Sequence, residues 1–575
     1  MADTPGKKSA TKRTTRNSLS CAQCRYKHVR CDGQKPICTR CETEAKECVY
    51  LPSRRRGNPK VKHSTYPAEA PVPESSIESS LDSHFQASNT SPSSSTAATG
   101  ETEASLNFSS QYLALYYDSF HAAHPCILPL HALKQRLIDP TIQPLLRVLC
   151  YVGSIFDSSR PSEIWYQWAN DAVSEIRLTT RSLTTFDIQA VLLFAIVVYW
   201  CNEPERGVEL LDETIRMAVS IGMNKKEYSR TYGYGDPLLE ESLRRTWWVI
   251  YITDAHIAGS THTYPFRTSG TNITTDLPCE EDDYETGNIP LPRSIEDYEN
   301  REFFTEYDSN FSSYAELIGL TLGIDRALSP GSTTDSQLYI AMASASDTCI
   351  RAWYSLLPPS KRDPIRPDGS VDEVMFKALF IMHTYTVEIH RPLSALTHSA
   401  IESVSRCAPM APSEQLKCNN AKEKDLHTLK CTTAIDSIDE LLTLPTNMKS
   451  HSPFIICMIA NLAIAHLSAC RFIYHGQRLS QSREKIRLMM GTLKHLSEHW
   501  VLGKRTYREI GIVARELLSL AKDAPVNFPT FELALPNPPS MDIPALDMLP
   551  DGNFDFCAFF DAGTSGVNEP DMHCI

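Results

Sequence analysis

The sequence predicts a mainly α protein: a small cysteine-rich head, a large all-α body, and a linker and a tail that stay disordered. Three observations carry this expectation. Six cysteines between Cys21 and Cys48 repeat one spacing twice. From about Leu106 to Ala521 apolar residues recur at helical intervals, without strand alternation. Residues 64–106 and the last segment, from 522 to 575, hold too few apolar residues or too many prolines to build a core.

In the head, Cys21, Cys24 and Cys31 are followed by Cys38, Cys41 and Cys48 at the same steps of three and then seven. A two-residue gap lets two thiolates turn back onto one ion, and a six-residue gap lets a short helix carry the chain round to a third. Three ligands leave a tetrahedral zinc one short. Two zinc ions need eight thiolate positions and six sulfurs are present, so the simplest closed arrangement has two cysteines bridging both metals. Such a cluster carries a net charge of about −2, which Arg25, Lys27, Arg30 and Lys35 can offset. This stretch is expected to bury almost no apolar residue, so the metals must serve as its core. The alternative, a set of disulfides, lacks any mark of secretion.

These residues resemble the fungal zinc binuclear cluster transcription factors. The match covers Cys21 to Cys48, the basic run from Cys24 to Asp32, and Lys35-Pro36-Ile37-Cys38, where the family carries a proline between the halves. The resemblance implies two zinc ions held by Cys21, Cys24, Cys31, Cys38, Cys41 and Cys48, with Cys21 and Cys38 as the bridging pair. It further implies a short helix end set in the major groove of double-stranded DNA over a CGG triplet. The family's base-reading residue, normally lysine, falls on His28, which puts the base preference in question. Arg25, Lys27 and Arg30 are the accompanying DNA contacts.

Taken in order, residues 1–20 form a basic arm with no apolar run, so no signal peptide is expected there. Lys7-Lys8 and Lys12-Arg13 suit a nuclear import signal or a DNA-tracking arm. Residues 1–63 hold 16 Lys+Arg against 5 Asp+Glu, a net of +11, while the remainder carries −24 within an overall −13. A basic head on an acidic body suits contact with phosphates at one end only. The cluster spans 21–48 and a basic extension 49–63. In the extension, Arg54, Arg55 and Arg56 precede Gly57-Asn58-Pro59-Lys60, which resembles an AT-hook core with Asn58 in place of its second arginine. A basic linker touching only phosphates is the alternative. In the linker 64–106, Ile77, Leu81 and Phe85 recur at four-residue steps, short of the heptads a coiled coil needs. Monomer and homodimer both stay open.

The body, 107–521, reads as one all-α domain with room for two subdomains. Val208, Leu211, Ile215 and Ala218 form one stripe, stopped by Gly222. Further helical runs are expected near 141–157, 163–178, 186–201, 238–258, 335–357, 372–390, 421–443, 452–474 and 480–520. Ile188 to Cys201 is apolar yet too short to cross a bilayer, so a buried helix and no membrane partner are expected. This region resembles the same family's regulatory domain through Thr214 to Met223, Arg244-Arg245-Thr246-Trp247-Trp248 with Tyr251 and Asp254, and His390-Arg391-Pro392. Where the family carries Gly-Arg-Pro, Thr263-Tyr264-Pro265 stands instead, while Leu277-Pro278 is kept. Trp247, Trp248 and Tyr251 either line a pocket for a small-molecule effector or form plain core. Arg244, Arg245 and Asp254 read as a structural charge set. The 12 cysteines from Cys126 to Cys574 look isolated and buried.

No HExxH, phosphate-cradling glycine loop or Gly-x-Ser-x-Gly elbow occurs, so no enzyme is expected. After Lys522 there is no Lys or Arg but nine acids, and Asp551, Asp555 and Asp561 stand among Phe554, Phe556, Phe559 and Phe560. That tail, 522–575, has the composition of an activation segment that folds onto a coactivator. The sequence thus points to a nuclear, zinc-dependent DNA-binding activator, and family resemblance implies a catabolic or secondary-metabolite gene set. Its rival is a zinc-stabilised scaffold or corepressor that touches DNA or protein without reading sequence.

Overall fold

A computed structural model describes residues 31–43, apart from 33 and 36, and 110–519, apart from 158, 160–161, 302–309 and 413–415. The arm, most of the cluster, the basic extension, the linker and the acidic tail lie outside the described residues. The chain divides into two units, Met1–Ser88 and Asn89–Ile575. In the first, the described secondary structure is one short helix, α1 (Thr39–Thr43). In the second, helices dominate and, among the described residues, β pairing is limited to two isolated bridges, Leu277 with Arg293 and Ile365 with Val371.

The body opens with a helix over 110–119 and then builds α2 (Gln143–Ser154), α3 (Glu163–Leu178), α4 (Thr185–Trp200) and α5 (Pro204–Ser220). The expected buried helix is α4, in which every residue except Phe186 is buried. Its start is set by a capping box: Thr184 accepts from the Asp187 amide at 3.3 Å, and Asp187 accepts from the Thr184 amide at 2.8 Å. Neighbours α2 and α5 pack against it, and α5 closes at Gly222, whose φ of 78° no side-chain-bearing residue adopts cheaply.

Next comes α6 (Pro237–Thr261), begun by Asp236 accepting from Leu238 and Leu239 amides with proline in the first turn. It is followed by α7 (Ser313–Leu328), α8 (Ser336–Leu356), α9 (Glu373–His390), α10 (Ala421–Leu441), α11 (Ile455–Phe472), α12 (Gly476–Leu496) and α13 (Val501–Ser519). By length and composition α11 is apolar enough to cross a membrane, with mean hydropathy 1.7, but 83% of it is buried within the body, as befits a core helix.

Two expectations need correction. The single run 480–520 is two helices, because Trp500 turns into the core, 5% exposed, and sets its ring 5.8 Å from Phe156 and 6.3 Å from Phe120. Residues 497–500 contain neither Gly nor Pro, so nothing local announces the break. Conversely, α7 lies outside the expected runs, and it forms although it carries Gly319 and Gly323. A Cβ at Gly319 would stand 2.1 Å from the Tyr298 hydroxyl, so glycine is there for close packing.

Candidate metal centre and nucleic-acid interface

Within the head, the chain places Cys38 just before α1 and Cys41 inside it, a three-residue step that sets both on one edge of the helix. Both are buried, while Thr39 and Arg40 are exposed. The Cys41 amide points at Cys38 Sγ, 3.5 Å away, an orientation that steadies a sulfur ligand. Cys31 comes to Cys38: donor atoms of Cys31, Asp32 and Cys38 all lie within 4.8 Å of one another. Thus two sulfurs seven residues apart converge as the spacing requires, and this donor set fits a thiolate-bound zinc ion. Cys21, Cys24 and Cys48 lie outside the described residues, as do Arg25, Lys27, His28, Arg30, Arg54, Arg55 and Arg56.

Asp32 is a feature that spacing alone did not single out. Its Oδ2 accepts from the Thr39 amide at 3.3 Å and from the Thr39 hydroxyl, so it ties the segment after Cys31 to the start of α1. The Thr39 hydroxyl holds the Asp32 carboxyl below its ordinary range. Asp32 therefore orients the loop between two ligands, a role that the cysteine spacing does not announce.

In the body, Trp247, Trp248 and Tyr251 are fully buried core. Trp248 Nε1 donates to the Asp276 carbonyl at 2.9 Å and the Tyr251 hydroxyl to Asp325 at 3.1 Å. The next turns of α6 line an enclosed cavity of about 30 Å³, through Ala255, His256, Gly259 and Ser260. Arg244 and Arg245 are structural: Glu241, itself buried, accepts from each at 2.8 Å and from the Cys279 amide at 2.9 Å. Arg245 also reaches Glu281 at 2.9 Å and lies 4.1 Å over the Tyr284 ring. Burial raises the Glu241 carboxyl, yet the Arg245 and Arg244 charges overcome it and hold Glu241 below its ordinary range. Asp254 is likewise internal, accepting from the Thr268 amide at 2.7 Å and hydroxyl at 2.8 Å. His390 bonds Asp347 at 3.0 Å and His427 at 2.8 Å, and Arg391 bonds Glu402 at 2.8 Å. The expectation of isolated cysteines fails at one place: Cys407 and Cys457 sulfurs are 2.6 Å apart.

Comparison with known proteins agrees with this arrangement. Residues 19–57 match the fungal Zn(2)-Cys(6) binuclear cluster domain, which implies zinc binding, and residues 106–355 match the fungal specific transcription factor domain. The helical body continues beyond that match, to 519. The chain is 26% identical over 571 residues, 89% of its own length and 82% of the relative's, to the C6 finger domain transcription factor iacK of Pestalotiopsis fici. Over 100 residues, 17% of this chain and 18% of each relative, it is 37% identical to the transcription factors phomD' and phomD of Diaporthe leptostromiformis. No solved structure matches. With a zinc cluster domain followed by the family's helical domain, and with a relative aligned along most of its length, the chain belongs to the fungal zinc binuclear cluster transcription factors.

Proposed function

We propose that this chain is a nuclear, sequence-specific activator of RNA polymerase II transcription that reads CGG-like half-sites in the major groove and serves a metabolic or secondary-metabolite gene set. The observation that carries the reading is the repeated cysteine spacing, with Cys31 and Cys38 brought together and basic residues interleaved between the ligands. In this reading Cys21, Cys24, Cys31, Cys38, Cys41 and Cys48 hold two zinc ions, and bound zinc supplies the cross-links that shape the head. Arg25, Lys27 and Arg30 contact phosphates while His28 faces the bases, and Arg54, Arg55 and Arg56 extend the contact along the backbone. The net of +11 on residues 1–63 against −24 elsewhere supports DNA contact by the head alone. The tail meets coactivators through Phe554, Phe556, Phe559 and Phe560, held in water by neighbouring acids.

Selection of random duplex DNA by the full-length, zinc-loaded protein tests this. A recovered motif built on CGG-like triplets supports it, and recovery of unrelated sequence with uniform affinity favours the scaffold alternative. A reporter carrying the recovered site gives the second readout: changing the four tail phenylalanines to Ala abolishes output without altering DNA affinity, and unchanged output moves activation elsewhere.

A further inference from the structure

Cys407 follows the turn Ala400–Val404, and Cys457 sits in the first turn of α11. Both are buried, and the Cys407 thiol donates to Cys457 Sγ at 2.6 Å. Both also line the cavity beside α6, whose volume of about 30 Å³ is room for a molecule of two oxygen-sized atoms, at ~10–15 Å³ each. Two further wall groups call for a polar occupant. Asn461 and His256 are 4% and 6% exposed, and Asn461 Oδ1 and His256 Nε2 have no hydrogen-bond partner within the protein. A buried polar atom left unanswered costs free energy, and a small molecule with two O–H groups, each able to donate or accept, answers both. Glu388, also in the lining, accepts from the Tyr264 hydroxyl at 2.8 Å and bonds His262 at 2.9 Å.

We propose that Cys407 and Cys457 are a peroxide-reactive dithiol, and that the cavity admits one molecule of hydrogen peroxide beside the two sulfurs. The hydrogen bond from Cys407, chief among the causes, holds the Cys457 thiol below its ordinary range against burial, so Cys457 is the nucleophile. Its sulfur attacks one peroxide oxygen: an S–O bond forms, the O–O bond breaks, and the departing hydroxide takes the proton Cys457 gave up, leaving as water. Cys407 sulfur then attacks the Cys457 sulfenic acid. The S–S bond forms, the S–O bond breaks, and the second water leaves with the Cys407 proton. Two thiols are oxidised by two electrons, and one peroxide is reduced to two waters. A thiol reductant reverses the step by exchange. By contrast, burial pushes the Cys126 and Cys431 thiols up to about 12. The disulfide ties the segment after Ala400–Val404 to α11, the helix against which α12 and α13 pack.

The test exposes full-length, zinc-loaded protein to stepwise hydrogen peroxide, quenches with acid, alkylates under denaturing conditions and maps peptides without reduction, with retained zinc measured in the same sample. A Cys407–Cys457 cross-linked peptide, lighter by two hydrogens, is expected to form at least about tenfold faster than oxidation at Cys431 and to be reversed by a thiol reductant. Cys407→Ser should leave a Cys457 sulfenic acid that dimedone traps, and Cys457→Ser should leave Cys407 unmodified. Oxidation of the pair no faster than Cys431 in the unaltered protein overturns the proposal whether or not either serine variant folds. Asn461→Leu should slow the reaction, and an unchanged rate overturns the cavity's part in it.

Discussion

In the head, the described residues bury only Cys38 and Cys41, and Ile37 is 44% exposed. In the body, α4 alone buries all but one of its residues. A core made of ligands is nearly all-or-none: remove one donor and no neighbouring side chain replaces it, so folding follows metal supply. A core made of packed side chains loses stability in increments, and its weak points are the few buried charges that need every partner. The two regions should therefore fail differently, under different conditions, in the same molecule.

The largest expected effect is loss of the head. Cys38→Ala or zinc chelation should remove binding free energy on the order of 10–16 kcal/mol, unfolding the head while the thermal transition of the body stays put. Native mass spectrometry for bound zinc and circular dichroism for the body read the two outcomes. A head that keeps its fold with one zinc ion would break the bridged two-ion arrangement. Second in size is Glu241→Ala, which takes the buried carboxylate from between Arg244 and Arg245 and leaves Arg245 with Glu281 alone. It should cost the body about 3–5 kcal/mol in denaturant melts and leave zinc content unchanged. A loss under about 1 kcal/mol would mean that water reaches these arginines.

His28→Lys touches neither core. A neutral imidazole offers one donor and one acceptor, whereas lysine always donates to guanine O6 and N7. Binding titrations should show CGG preference rising by about 1–3 kcal/mol, and the gain in affinity below about pH 6.5 that histidine brings should vanish. If His28→Ala and His28→Lys both leave the motif and its pH profile unchanged, Lys27 becomes the reader. The smallest effect is a slope in the body. Burial raises the Asp439 carboxyl from 3.8 to about 7, with Lys485, 3.3 Å away, opposing it. A carboxyl raised in the folded state contributes stability that is fully present below 3.8 and lost as pH rises through about 7. Asp439→Asn should flatten that fall in melts taken from pH 4 to 8, and an unchanged slope would assign it to another group.

Helices with one apolar face or an unbroken apolar run were legible because their periodicity is local: the expected 163–178 coincides with α3, and 186–201 lies within a residue of α4. The break at 497–500 and the glycine-bearing α7 were not, because Trp500 meets Phe156 and Phe120, and Gly319 meets Tyr298, only after the chain has folded. The order of the motifs between Thr214 and Pro392 identified the body's family without revealing that Glu241, Arg245 and Glu281 form one internal network.

By itself the sequence determined what depends on short-range spacing: the two cysteine triplets, the basic residues among them, the division of charge between the two ends, and the helical periods of the body. Chain geometry over three or seven residues has few solutions, so ligands that close together in sequence must meet in space, as Cys31 and Cys38 do. Only the tertiary structure decided which distant side chains share a site. Cys407 and Cys457, Arg245 and Glu281, and Asn461 and His256 beside one cavity come from separate elements. Their meeting is set by how helices pack, a choice made by the summed shape of many buried surfaces rather than by any local pattern.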